Sequence, residues 1–518
     1  MPFNLTEQEL QNAFEALEHH GYSGLVPYPP EWQTVRDNWP KIKERIAHFD
    51  LDVYQPNTPM VMFAPKSRAT VRPVCLLHPI DIIIYSALTL IVKDDLEAQR
   101  IPLQRRRVFS YRGSAAPNRF YAPQPTFRDF LEASEAKADR AGTKIIAVAD
   151  IADFYPRIYQ HRLENVIEAS ARFPRGEEVA RVLVSKFLSN VSAKNSYGIP
   201  IGPFASRVLA EGVLIDVDAA LLSDGADFLR WVDDYTIFCR TETEAQRLIF
   251  RLSEHLFRNH GLTLSAIKTK ILPKEDFQNR FLQDPDQEVN EDLRILMALS
   301  TRGGRYSDTE NELTPEEINE LSQVNFRNML EAALADRELV DYERLKAVLN
   351  HRALLERLPP KNRSDIASVL LANMEHLYPV ADAMGQFFQT FAEEPRSVQQ
   401  KIARGLLRSI KSVHGKWPPD YQMVWVLNVF TSSPNWGGAG EILRIFNTHP
   451  SDVVRRFAAL ALYANGSRAD AVALRSGYAN SSPLTRLAIL LASRKQGRDE
   501  RRHWRQTLQL MGVLERLL

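Results

Sequence analysis

The stretch Arg230–Arg240, RWVDDYTIFCR, decides how this chain is read. Two adjacent aspartates, Asp233 and Asp234, sit between apolar and aromatic residues that would otherwise make a good strand. Neighbouring carboxylates repel, and burying them without partners is costly. Either the pair is a solvated turn or a cation belongs beside it. With the preceding DFL, the segment reads as two short strands around Asp233–Asp234, a hairpin.

Working outward, KIIAVADIADFY (from Lys144) is a short apolar strand that ends at Asp150. A carboxylate at a strand end is well placed to hold a metal, although a lone aspartate there more often caps the following helix. SYGIPIGPFAS is a Gly/Pro loop leading into the helix ASRVLAEGVLIDVDAALL. TEAQRLIFRLSEHLFRNHGL is an amphipathic helix ending at Gly261, and TLSAIKTKIL is strand-like. The order is α+β. Three carboxylates converging from two strand ends would hold two Mg²⁺ ions, which clamp the attacking and leaving oxygens of an in-line phosphoryl transfer.

In this order the segments resemble the palm motifs of reverse transcriptases. DIADFY (Asp150–Tyr155) resembles motif A, YGIPIGPFASRVLAE (Tyr197–Glu211) motif B, WVDD (Trp231–Asp234) motif C and HGLTLSAIKTKI (His260–Ile271) motif D. The resemblance implies a right-hand-type polymerase using Mg²⁺ and dNTPs. Asp150, Asp233 and Asp234 would be catalytic and metal-binding, with the main-chain carbonyl of Ile151 completing the sphere. Tyr155 would be the steric gate against a ribose 2′-OH. Gly198 and Pro200 would border the nucleotide, and Lys268 would support the leaving pyrophosphate. Upstream, FAPKSRATVRPV resembles the fingers segment that grips the triphosphate, with Lys66 and Arg72 as candidates and Arg68 as a rival.

Net charge is +1, which hides a local feature. Gln99–Arg128 contains no acidic residue and carries Arg105, Arg106, Arg107 and Arg112 among Phe109, Tyr111, Phe120 and Tyr121. Arginines pair phosphates and aromatics stack bases, so the four arginines are candidate nucleic-acid contacts. At 44% hydrophobic and 25% charged, the composition is that of an ordinary globular protein. Two cysteines without a CxxC support neither a disulfide framework nor a zinc site, and a reducing cytoplasm fits. The polar N-terminus does not read as a signal peptide. The longest apolar run, Ile82–Val92, reads as a buried helix too short to span a bilayer, so no membrane is expected.

The expected domains are an N-terminal helical segment (1–55), fingers (56–140), palm (141–275), a linker (276–314) and an α-helical HEAT-like repeat domain (315–518) in place of a thumb. PSDVVRRFAALALYANGS and SPLTRLAILLASRKQG look like related helical units. Ile201 stands where retron and group II intron enzymes commonly have Gln, and Trp231 where Tyr or Phe is usual. GIPIGPxxSRxLAE resembles the abortive-infection (Abi) and "unknown group" enzymes of bacterial phage defence. That resemblance implies a cytoplasmic, oligomeric DNA polymerase, untemplated and primed on its own tyrosine, with DNA left covalently attached. Tyr22, Tyr28, Tyr54, Tyr421 and Tyr463 are candidates for the primer. Two alternatives are an RNA-templated enzyme copying a partner non-coding RNA, and a catalytically dead palm with a helical scaffold that senses phage.

Overall fold

The computed structural model describes residues 2–282, 319, 323–336, 340–349, 355–356, 358–508 and 512–518. Most of the expected linker, including STRGGRYSDTENELTPEE, lies outside them. The chain forms two compact units. One comprises Met1–Gly24, Pro40–Pro59 and Pro79–Glu288; the other comprises Leu25–Trp39, Met60–His78 and Val289–Leu518.

The first unit is built on four strands. The hairpin Met60–Pro65 (β1) and Val71–Leu76 (β2) lies in the second unit, so the four are Ile145–Asp150 (β3), Asp227–Trp231 (β4), Asp234–Cys239 (β5) and Lys270–Pro273 (β6). Their order is β4-β5-β3-β6, with every neighbouring pair antiparallel. Side chains alternate faces along a strand. Ile146 and Val148 of β3, Phe238 of β5 and Leu272 of β6 share one buried cluster with Leu229, Phe109 and the helix Phe127–Ala138. The same alternation fixes the polar ends. β3 and β5 pair with Val148 opposite Thr236 and Asp150 opposite Asp234, so both aspartates leave the sheet on the face of that cluster.

Local signals act as the sequence implies. Thr6 caps the helix Glu7–His20, Glu9 returns the capping-box bond, and Gly21 ends it at φ 88°. The run Ile82–Val92 lies within the helix Pro79–Gln99, buried along most of its length because neighbours cover it on all sides. Among the described residues, no helix is long and apolar enough to cross a membrane.

The second unit is mostly helical. The two related segments form the helices Asp452–Asn465 and Pro483–Ala492, which pack on each other. The β1–β2 hairpin belongs here: β1 packs on the helices Asp420–Val429 and Asp452–Asn465. The segment expected as fingers is therefore divided, with 60–78 in this unit and 79–140 in the other. The alternation in β1 explains the allegiance, since Met60, Met62 and Ala64 are buried while Val61 and Phe63 are exposed.

Arg456 lies in this unit's core at 1% exposure, paired with fully buried Glu31 and donating to the Leu484 carbonyl at 2.5 Å. Arg456→Met would leave Glu31 buried and uncompensated. The expected loss is about 3–5 kcal/mol, seen as a fall of several degrees in thermal melting. Glu31→Gln/Arg456→Met should recover part of it.

Candidate active site

Strand β3 ends at Asp150, and the β4–β5 hairpin closes through the two-residue turn Val232–Asp233. The turn lies one residue earlier than the sequence suggests. Asp234 is already a strand residue, paired with Trp231, while Asp233 sits at the tip. The Ile151 N–H donates to the Asp233 carbonyl at 3.1 Å, which ties the end of β3 to that tip. On the other side, Ser265 N–H donates to the Asp150 carbonyl at 2.7 Å and Ala152 N–H to Thr263 at 2.8 Å. Lys268 follows in the same segment, and its ammonium donates to Asp150 Oδ1 at 2.6 Å.

The three aspartates, Ile151 and Lys268 therefore come together, as the sequence implies. Burial, then the charges of Asp233 and Asp150, push the Asp234 carboxyl up to about 7. Burial alone would lower the Lys268 ammonium, but its bond to Asp150 and the charges of all three aspartates hold it above its ordinary value. The pocket is rich in negative charge, with one ammonium against three carboxylates.

Oxygen donors of this kind suit a hard divalent cation such as Mg²⁺. Among the described residues, however, no three His, Cys, Asp or Glu side chains form a ready metal cage. Lys268 occupies an oxygen of Asp150, and the charges of Asp150 and Asp233 bear on Asp234. The donor set thus fits in kind, without the closed arrangement of a preformed site.

Tyr155 is half-buried in the short helix Phe154–Arg157, and its carbonyl accepts from Ile199 N–H at 3.1 Å. Burial, with Tyr111 next, keeps its phenol well above the ordinary pKa, so the ring stays neutral. Gly198, at φ 88°, donates to Ile158 at 2.8 Å, and a Cβ there would lie 3.1 Å from the Pro156 carbonyl oxygen. That position needs glycine for both conformation and space. Pro200 beside it is buried. The loop bearing Gly198 and Pro200 is thus fastened to the segment that carries Tyr155.

The remaining candidates separate. Lys66, Arg68 and Arg72 are exposed on the β1–β2 hairpin of the second unit. Arg105 and Arg106 are exposed around a short turn. Arg107 instead pairs with Asp227 and donates to the Phe228 carbonyl at 3.2 Å. Arg112 is buried, pairs with Glu97 and donates to the Ile101 carbonyl at 3.1 Å, in place of the expected nucleic-acid contact. Phe109 and Phe120 are likewise core residues, unable to stack on bases. An acid-free stretch hides this, because Arg112 and Arg107 find their carboxylates outside it, at Glu97 and Asp227.

Sequence reasoning missed what supports the aspartate turn. Val232 has φ 55°, unusual for a β-branched residue. Two bonds hold it: its N–H donates to Ser110 Oγ at 2.8 Å, and its carbonyl accepts from the Arg230 guanidinium at 2.7 Å. Ser110 in turn donates to Glu211 at 2.5 Å. Arg230 is fully buried and grips Asp218 through Nε (2.8 Å) and Nη2 (2.6 Å), and Glu211 through Nη1 (3.0 Å). Arg100 binds the same Glu211 at 2.7 Å, and Tyr235 donates to Asp218 at 3.0 Å. The available signal was charge on faces that otherwise read as core, in RVLAEGVLIDVD and at the head of RWVDD.

Residues 65–282 match the family profile described as "Reverse transcriptase (RNA-dependent DNA polymerase)". The match is to a reverse transcriptase domain, of the nucleotidyltransferase polymerase type, and spans less than half of the chain. Similar solved structures include telomerase from Candida albicans with a TWJ fragment of telomeric RNA, at 12% identity and TM-score 0.34. That match covers 70% of this chain and 64% of the telomerase, so the chain spans just under two thirds of it. Apo telomerase from Candida tropicalis matches at 10% identity and TM-score 0.35, covering 83% and 72%. No curated protein matches the chain.

Ser110→Ala removes the acceptor of the Val232 N–H and the donor to Glu211 together. The expected cost is about 1–3 kcal/mol, with a larger proportional loss of catalytic rate than of thermal stability. Melting curves and steady-state incorporation assays on the same preparation check this.

Proposed function

We propose that the protein is a DNA polymerase of reverse-transcriptase type that adds deoxynucleotides to a growing 3′ end. The observation that carries the reading is the pairing of Asp150 with Asp234 across β3 and β5, with Asp233 at the adjoining tip. Asp150, Asp233, Asp234 and the Ile151 carbonyl would hold Mg²⁺, which when bound supplies the positive charge that stabilises in-line phosphoryl transfer. Lys268 is placed to move from Asp150 to an anionic leaving group. Tyr155 presents a neutral ring that excludes a 2′-OH, favouring dNTPs. The glycine loop at Gly198 allows the backbone to come close to the substrate.

The finer reading is a defence polymerase of the Abi type, untemplated and protein-primed. It is supported by Ile201 and Trp231 in their motifs and by the helical second unit, read as HEAT-like. Oligomerisation, covalently attached DNA and a bacterial cytoplasmic setting belong to the same reading. The templated alternative, copying a partner non-coding RNA, is favoured by the RNA-dependent description of the matching family.

Purified full-length protein with Mg²⁺ and labelled dNTPs is expected to yield labelled product on a denaturing gel. Asp150→Asn and Asp233→Ala should each lower incorporation on the order of a thousandfold; unchanged incorporation would overturn the polymerase reading. Label that migrates with the protein until protease treatment supports protein priming. Loss of synthesis after RNase treatment supports the templated alternative. Tyr155→Val is expected to raise ribonucleotide use about tenfold relative to dNTPs, measured by competition between the two.

A further inference from the structure

A groove of about 980 Å³ runs through the second unit, between the helices Pro360–Ala372 and Arg396–Ser409 and the loop that follows. Its lining is strongly basic. Lys401, Arg404 and Arg408 recur at spacings of three and four along one face of the second helix, Lys411 follows just past its end, and Lys416 and Trp417 close the far side. All five cations are exposed, and none makes an ion pair with a described residue. The carboxylate of Glu375 lines the groove with them, and Glu441 lies within electrostatic reach of Lys411.

The loop is shaped to present its residues. Val413 and Lys416 exchange backbone hydrogen bonds at 3.0 and 2.9 Å, and His414 and Gly415 turn the chain with φ 51° and 74°. Trp417 follows directly, half-buried, with its ring set by Arg444 at 5.5 Å and His449 at 4.7 Å.

We infer that this groove binds a single-stranded polynucleotide. The helical part of the row, Lys401 to Arg408, is about 10 Å long at the helical rise, and Lys411 extends it past the helix end at Ser409. Unpaired cations in a row track a phosphodiester backbone, and an aromatic ring at the edge offers a base a stacking surface. A concave channel suits a strand better than a flat membrane. The inference concerns binding and does not depend on polymerase chemistry. DNA and RNA share the backbone, so the test carries both.

Binding of fluorescein-labelled oligo(dT) and oligo(U) to the full chain, without dNTPs, is followed by anisotropy across a salt series. Lys401→Gln/Arg404→Gln/Arg408→Gln is expected to weaken binding at least about tenfold and flatten the log–log salt slope by about 2, at about 0.7 per phosphate contact. Trp417→Ala should weaken binding about fivefold with the slope unchanged. Arg498→Gln/Arg501→Gln/Arg502→Gln removes equal charge elsewhere and should leave both quantities unchanged. Lys401→Gln alone, with a slope change of about 0.7, carries the test if the triple variant melts early. A stronger effect on one oligomer identifies DNA or RNA as the occupant. The inference is overturned if the groove variants bind with wild-type affinity and slope, or if the control weakens binding equally.

Discussion

The guanidinium of Arg230 is the contact on which the aspartate turn rests. It is fully enclosed, grips Asp218 with two nitrogens, reaches Glu211 with the third and donates to the Val232 carbonyl. Burial would lower its proton affinity, yet Asp218 and Glu211 together raise it well above the ordinary value. Removing charges from water is expensive, so such a cluster adds little net stability over a well-packed apolar core. What it gives is a fixed geometry. Arg100, Arg112 and Arg230 face Glu97, Glu211 and Asp218, and the three positive charges balance the three negative ones beneath the sheet.

This network joins segments distant in sequence. Arg100 and Ser110 lie in the stretch Gln99–Arg128, Glu211 lies in the helix Ala205–Val213, Asp218 in the next helix, and Arg230 on β4. The outcome is that a strained backbone at Val232 is held from both its N–H and its carbonyl. The aspartate beside it is thus positioned by groups buried behind the turn.

The sequence made the site legible and left its supports hidden. Asp150, Asp233, Asp234 and Lys268 were readable because strand alternation and motif order operate over short distances. The α+β reading, the hairpin and the buried helix at Ile82–Val92 rest on the same local signals. Arg112 and Phe109 were misread because exposure depends on partners that composition cannot show: the carboxylate of Glu97 for one, the cluster around Phe130 for the other. The allegiance of the β1–β2 hairpin was also out of reach. Its alternation marks a buried face but does not say which helices cover it.

That hairpin also has a history in time. A ribosome releases it early, together with Leu25–Trp39, while the helices that cover β1 begin roughly 340 residues further on. At bacterial or eukaryotic elongation speeds of about 5–20 residues per second, the apolar row of Met60, Met62 and Ala64 waits on the order of tens of seconds for its cover. Neither unit is contiguous in the chain: the first is complete once Glu288 has been made, whereas the second cannot finish folding until synthesis has nearly ended. A chain ending at Glu288 would hold the whole first unit yet leave the hairpin without the helices that cover β1.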